Sequence, residues 1–305
     1  MGGRGKRQLA DGSCILPNTI GKLRRLRLPL PPVTRIDSCL ADVCPYNAGM
    51  PSLEQEQNPA PVPALNELTI KIVHDNYPYA DSMKTAWGFS ALVAGPEKTI
   101  LFDTGSDATL LLENMAKLQI DPVAIDIVIL SHIHGDHTGG LTGLLKANTR
   151  VEVYLPRSFP AKIKDIVRGY GATLVEAVAP QEICPNVYTT GVLGRLVKEQ
   201  ALIVRTQRGL IVLTGCAHPG VVRIAEEVKS LHPENILLVM GGFHLEWATA
   251  GRVERIIAAF KEHGVRYVAP THCSGEKARH LFQRQYGENC IDAGVGKTIS
   301  LTDLR

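Results

Sequence analysis

The sequence runs to 305 residues with 45% hydrophobic content, enough to bury a sizeable core as one large domain or two small ones. Its net charge of +3 is unevenly spread: residues 1–35 carry +7 and the other 270 carry −4, so the body lacks the bulk positive charge that attracts nucleic acid. Seven scattered cysteines (Cys14, Cys39, Cys44, Cys184, Cys216, Cys273 and Cys290) form neither a disulfide scaffold nor a paired zinc motif, and no stretch reaches the ~18–20 apolar residues of a membrane span.

Residues 1–65 read as a basic, Pro-rich, disordered extension with few aromatics to nucleate a core. An Arg-rich, acid-poor leader suits a transit peptide, but Pro17, Pro29, Pro31 and Pro32 argue against a long amphipathic helix. The apolar run of a secretory signal is missing, so a reducing, cytoplasmic setting is expected. Cys39 and Cys44 are read as ordinary reduced thiols.

The folded body is expected over residues 66–305. Residues 68–73 alternate as a strand, and 88–93 and 99–102 give two more, separated by Gly95-Pro96. A helix carrying Leu110, Leu111, Met115 and Leu118 follows, capped by Ser106 or Asp107. Residues 125–130 form an apolar, β-branched run that reads as a buried strand. Residues 151–155 are another strand, whereas 158–200 are only weakly periodic and receive no assignment. Residues 201–204 and 210–213 flank Arg208-Gly209 as a hairpin, and a helix runs on to residue 231. Residues 236–240 are a buried strand. Thr249 caps a helix whose Val253, Ile256, Ile257 and Phe260 follow the helical period, Gly264 stops it, and 267–269 form a short strand.

The densest chemistry lies in Ser131-His132-Ile133-His134-Gly135-Asp136-His137-Thr138-Gly139-Gly140. Alternation on an extended segment sends His132 and His134 to the same side. Gly135 is expected to supply a sharp turn and Thr138 to cap a helix starting near Gly139. Three imidazoles and a carboxylate within six residues suit zinc or another borderline divalent metal. Three further strands end in Gly-containing turns with His or Cys: Gly215-Cys216-Ala217-His218, Gly241-Gly242-Phe243-His244 and Thr271-His272-Cys273-Ser274-Gly275. Helix-covered sheets with chemistry gathered at one strand-end edge predict an α/β layered fold whose ligands converge there. Asp103 is read as a partner that orients the histidine loop rather than as a ligand. Trp87 and Phe89 are expected in the core rather than stacked on a flat ligand ring, His74-Asp75-Asn76 in a self-satisfied turn rather than lining the cleft, and His232, His263 and His280 in solvent. Gly294-Val295-Gly296-Lys297-Thr298 echoes a phosphate loop, but Ile291 stands where its first glycine belongs and a strand follows.

These residues resemble the metallo-β-lactamase fold family: His132-x-His134-x-Asp136-His137, Asp103 in Leu-Phe-Asp-Thr-Gly, and a late His272. The resemblance implies an αββα sandwich with one or two metal ions at one edge. His132 and His134 would bind the first, and Asp136, His137 and His272 the second. The family's usual middle histidine is missing, because no histidine lies between His137 and Cys216. Cys216 falls on the position of the family's bridging Asp, and either His218 or His244 would supply the missing nitrogen. Gly88-Phe-Ser-Ala-Leu, Thr-Gly-Cys216-Ala-His-Pro-Gly, Gly-Gly-Phe-His244-Leu, Thr-His272-Cys-Ser-Gly and Gly294-Val-Gly-Lys together are similar to the dihydropteroate-synthase-like subfamily over residues 66–305. Its archaeal namesake joins a dihydropterin methyl diphosphate to 4-(β-D-ribofuranosyl)aminobenzene 5′-phosphate. What this implies is a zinc-type metallo-hydrolase or pterin-type transferase acting on a small molecule, with no nucleic acid or membrane partner. Asp136 would position or deprotonate the nucleophile when only one metal is bound. A non-hydrolytic metal protein serving redox or sensing on the same fold is the alternative.

Overall fold

The computed structural model describes residues 65–305. The extension expected over 1–65, with Cys14, Cys39 and Cys44, lies outside them except for Leu65, which bridges to Thr206. The first sheet comprises β1 (Thr69–His74), β2 (Ser90–Ala94), β3 (Ile100–Phe102), β4 (Ile127–Ile129), β5 (Glu152–Pro156) and β6 (Thr173–Ala177). The second comprises β7 (Gln181–Cys184), β8 (Val187–Thr189), β9 (Leu202–Thr206), β10 (Gly209–Thr214), β11 (Ile236–Gly242) and β12 (Tyr267–Thr271). The last strand, β13 (Thr298–Ser300), returns to the first sheet beside β1, giving the orders β13-β1-β2-β3-β4-β5-β6 and β12-β11-β10-β9-β8-β7.

Both sheets change from antiparallel to parallel pairing partway across. β3 to β6 run parallel, as do β10 to β12. Parallel neighbours need crossovers, and helices supply them: α1 (Ala108–Lys117), α2 (Gly135–Thr138), α3 (Leu141–Ala147) and α4 (Ala161–Gly169) serve the first sheet. α5 (Val221–Leu231) and α6 (Ala250–Glu262) serve the second, and α7 (Glu276–Tyr286) follows β12. The parallel strands therefore send their C-terminal turns to one edge, where ligands gather in open α/β sheets.

The core divides into three layers that fix the αββα sandwich. Ile70, Phe102 and Ile129 of the first sheet pack with Leu213, Met240 and Ala269 of the second between the sheets. Outside the first sheet, Leu111, Met115 and Leu144 of α1 and α3 pack on Val128 and Val153. Outside the second, Ile224, Ile257 and Phe282 of α5, α6 and α7 pack on Val212 and Val239. Two-sided burial explains why these strands are apolar runs. No helix among the described residues is long and apolar enough to cross a membrane.

The unassigned stretch 158–200 holds α4, β6, β7 and β8. β6 and β7 end their sheets and are only partly buried, so neither is an apolar run. Asp107 is the N-cap of α1 and Thr249 that of α6, each accepting a backbone N–H through its side chain. Gly264, with φ 73°, stands just past the end of α6. Thr138 caps nothing: it closes α2, donates its hydroxyl to His134 O at 3.1 Å, and leaves Gly140 at the N-cap of α3.

Candidate metal centre

β4 ends at Ile129, and the chain continues through buried Ser131 and His132 before α2 begins. The reversal is a helical turn with His134 at its N-cap position, so Gly135 is not the special bend expected of it: its backbone is helical and no positive φ is required. Beside this turn lies Asp103, fully buried with φ 57°, a strained conformation for a residue with a Cβ. Its carboxylate accepts from Ser131 N, Ser131 Oγ and His137 Nδ1, each at 2.7 Å. Ser131 Oγ, donating to Asp103, accepts from His132 Nδ1 at 2.9 Å. His272 Nδ1 lies 3.0 Å from Asn76 Oδ1. With one ring nitrogen of each of these three histidines so engaged, Nε2 keeps a free lone pair. His74-Asp75-Asn76 is thus more than a turn, since Asn76 orients His272.

The free nitrogens converge in two sets. His132 Nε2 lies 3.0 Å from His134 Nδ1 and 3.3 Å from His218 Nε2. His137 Nε2 and His272 Nε2 are 3.2 Å apart, with Cys216 Sγ 3.2 and 3.4 Å from them and Asp136 Oδ2 3.6 and 3.4 Å. Four ligands at tetrahedral Zn–N distances are ~3.4 Å from one another, so both sets have the spacing a divalent ion demands, in N, O and S donors suited to a borderline metal. The sets adjoin, the His132 and His137 rings being 4.2 Å apart.

Electrostatics favours the ligating form of His132, His218 and Asp136 and opposes it at His137 and at Cys216, whose thiol is pushed up by its hydrogen bond with Cys273 and by burial. Burial, reinforced by neighbouring imidazoles, pushes His132 far below the ordinary histidine range and His218 down to about 4. Burial would lower His137 as well, but the Asp103 carboxylate raises it. Burial alone would raise Asp136, yet His272 beside it and the charge of His137 hold its carboxyl below the usual range.

The second sheet contributes its residues from the turns after three neighbouring strands. Gly215 follows β10 where a Cβ would lie 2.0 Å from Ser131 Oγ, so glycine is what lets the two sheets' strand ends touch. The next turn is held by Glu199, which sequence reasoning missed. This buried carboxylate accepts from Cys216 N at 2.9 Å and from Ala217 N and His218 N at 2.8 Å. Burial nevertheless pushes it up to about 7. A lone Glu in an unassigned stretch carries no motif, so only tertiary structure reveals it.

His218 therefore completes the set with His132 and His134, whereas His244 does not. His244, with φ 55°, joins Cys216 and Cys273 in a third, thiol-rich group, its ring 4.5 Å from that of His218. The hydrogen bond from Cys216 holds the Cys273 thiol well below its usual range against the effect of burial, and His244 acts in the same sense. Trp87 contradicts the expected core placement: it is 50% exposed, and its ring lies 4.9 Å from that of His272. Phe89 is buried as expected. His232 and His263 sit at helix C-caps and His280 is exposed.

An αββα sandwich with His, Asp and Cys gathered at one edge defines the class of metal-dependent, hydrolase-like proteins. A model of the metallo-beta-lactamase superfamily matches residues 88–222. The 7,8-dihydropterin-6-methyl-4-(beta-D-ribofuranosyl)-aminobenzene-5'-phosphate synthase of Methanocaldococcus jannaschii is 31% identical over 250 residues, spanning 67% of this chain and 85% of that protein. The chain belongs to the metallo-β-lactamase superfamily and resembles that synthase's subfamily. An uncharacterized protein of the same organism is 28% identical over 268 residues, spanning 76% of this chain and 100% of its own length. The crystal structure of Tm1679, a metal-dependent hydrolase of the beta-lactamase superfamily, matches with TM-score 0.65 and 29% identity, covering 76% of this chain and 98% of that one.

Proposed function

We propose that the protein is a two-metal enzyme, zinc being the first assignment, and that it transfers a dihydropterin methyl group from its diphosphate to an arylamine. The observation that carries the metal reading is the spacing of the two donor sets. His132, His134 and His218 would hold one ion, and Asp136, His137, Cys216 and His272 the other. The synthase relative supports the substrate class. When bound, divalent ions there supply Lewis acidity towards a phosphoryl or carbonyl oxygen and acidify water to a pKa of about 7.

The chain's own residues do the rest. In the transfer, the amine nitrogen bonds to the methylene carbon, the carbon–oxygen bond to diphosphate breaks, and the amine loses one proton. With only the first ion bound, Asp136 is free to take that proton, which passes to solvent when both ions are bound: its side chain is 21% exposed, whereas Asp103 and Glu199 are buried and occupied by N–H donors. The same carboxylate would orient water in a hydrolysis. The test is to incubate metal-analysed protein with a dihydropterin methyl diphosphate and 4-(β-D-ribofuranosyl)aminobenzene 5′-phosphate. Diphosphate release that stops on chelation and returns with zinc is expected. Turnover unaffected by chelation contradicts it.

The thiol-rich group of Cys216, His244 and Cys273 favours a second reading, a non-hydrolytic redox or sensing protein. Purified protein holding iron, and losing it on oxidation, would select this reading over the enzyme.

A further inference from the structure

Next to the donor sets opens a cavity of about 450 Å³ lined by Trp87, His244, Glu246, Trp247, Arg252 and Cys273. The proposed metal chemistry uses neither tryptophan nor Arg252. Trp247 is 94% exposed, yet it does not hang on a loose loop. Its turn is pinned by Leu245 N and Glu246 N, both donating to Cys273 O, and by Ala248 N donating to Leu245 O; Leu245 and Ala248 are buried. Trp87 is held as firmly, with Ala86 N donating to Asp75 O and Phe89 N to Asp136 O. Two indoles are thus displayed on fixed backbone with much of their surface in water, which core packing does not explain.

The charges around the cavity are arranged asymmetrically. Arg252 lies in the first turn of α6, its backbone N–H donating to the Thr249 cap, and its guanidinium has no ion-pair partner among the described residues. The positive end of α6 and the guanidinium therefore favour an anion on that side. Glu246 lies opposite in chemistry, with its carboxylate near Gly275 at the start of α7, and repels an anion from there.

We propose that this cavity is a subsite for a planar nitrogen heterocycle bearing an anionic substituent, the ring stacking on Trp87 and Trp247 and the anion held by Arg252. The proposal rests on the metal-enzyme reading and deepens it by assigning the residues that bind the ring and the anion. Trp87, in ring contact with His272, places a ring stacked on it beside the second donor set.

Calorimetric titration of the zinc-loaded full chain with pterin-6-carboxylate and with biopterin, which lacks the carboxylate, tests it. Trp247→Ala is expected to weaken both ligands roughly tenfold, and Arg252→Ala to weaken only the carboxylate, also roughly tenfold. Zinc content should stay unchanged in both variants. No binding of either probe by the wild-type chain, or binding undiminished in both variants, overturns the subsite. Binding that follows the expected pattern without any turnover rejects the transferase and leaves the subsite standing. Turnover with unaltered binding in the variants does the reverse.

Discussion

The two sheets build one edge by opposite means. The first supplies His132, His134, Asp136 and His137 from a single turn after β4, whereas the second supplies Cys216, His218, His244, His272 and Cys273 from the turns after β10, β11 and β12. Each half has a buried carboxylate as its clasp: Asp103 for the histidine run, Glu199 for the Cys216–His218 turn. Clustered ligands need one local shape, while dispersed ligands need parallel register. Val239 opposite Val212 and Val268 opposite Val239 bring the three strand ends level. The same site thus depends on local geometry on one side and on sheet pairing on the other.

Removing the clasps separates the halves. Asp103→Ala leaves Ser131 N, Ser131 Oγ and His137 Nδ1 without their acceptor in a fully buried place. A loss of about 3–5 kcal/mol in denaturant unfolding is expected, together with loss of metal. Glu199→Gln is milder. The amide oxygen still serves Cys216 N and Ala217 N, but its NH2 faces His218 N, so about 1–3 kcal/mol is lost. If the halves are separable in this sense, the Gln variant weakens the first metal set through His218 and leaves the Asp103–His137 bond intact.

Asp75 joins the halves, since it directly follows β1 yet accepts from Thr271 of β12. Burial pushes its carboxyl up to about 6, against the bonds from Thr271 and Tyr77. A raised carboxyl pKa means the folded state binds the proton more tightly than the unfolded chain. Its favourable contribution is therefore full below the unfolded pKa near 3.8 and lost as pH rises through about 6. Asp75→Asn should remove that slope. The stability of the variant relative to wild type then rises between pH 4 and pH 7, by at most about 3 kcal/mol. A flat difference would show that the carboxylate is satisfied where it lies. The smallest effect belongs to the outer layer: Thr249→Ala removes the α6 cap and should cost about 1 kcal/mol in thermal or chemical unfolding.

The same contrast explains what the sequence disclosed. The histidine run, Asp103 and the strands around them were legible because their spacing is local and their apolar runs are buried on both faces. The choice between His218 and His244 was not, since both follow apolar strands of the second sheet and only the shape of each turn sends one towards His132. Ala217 with φ 55° and His244 with φ 55° show how far those turns depart from ordinary backbone. Glu199 was invisible because its three donors are backbone N–H groups, which leave no trace in side-chain pattern. Trp87 was misplaced because an apolar residue before a strand reads as core whether or not another layer covers it.

Metal content tests the convergence most directly. Elemental analysis of the purified chain should find two ions in the wild type and the same loss of one ion in His134→Ala, within the contiguous run, and in His218→Ala, 84 positions further along the chain. Two ions retained in His218→Ala, or none bound by the wild type, would contradict a centre shared by both sheets.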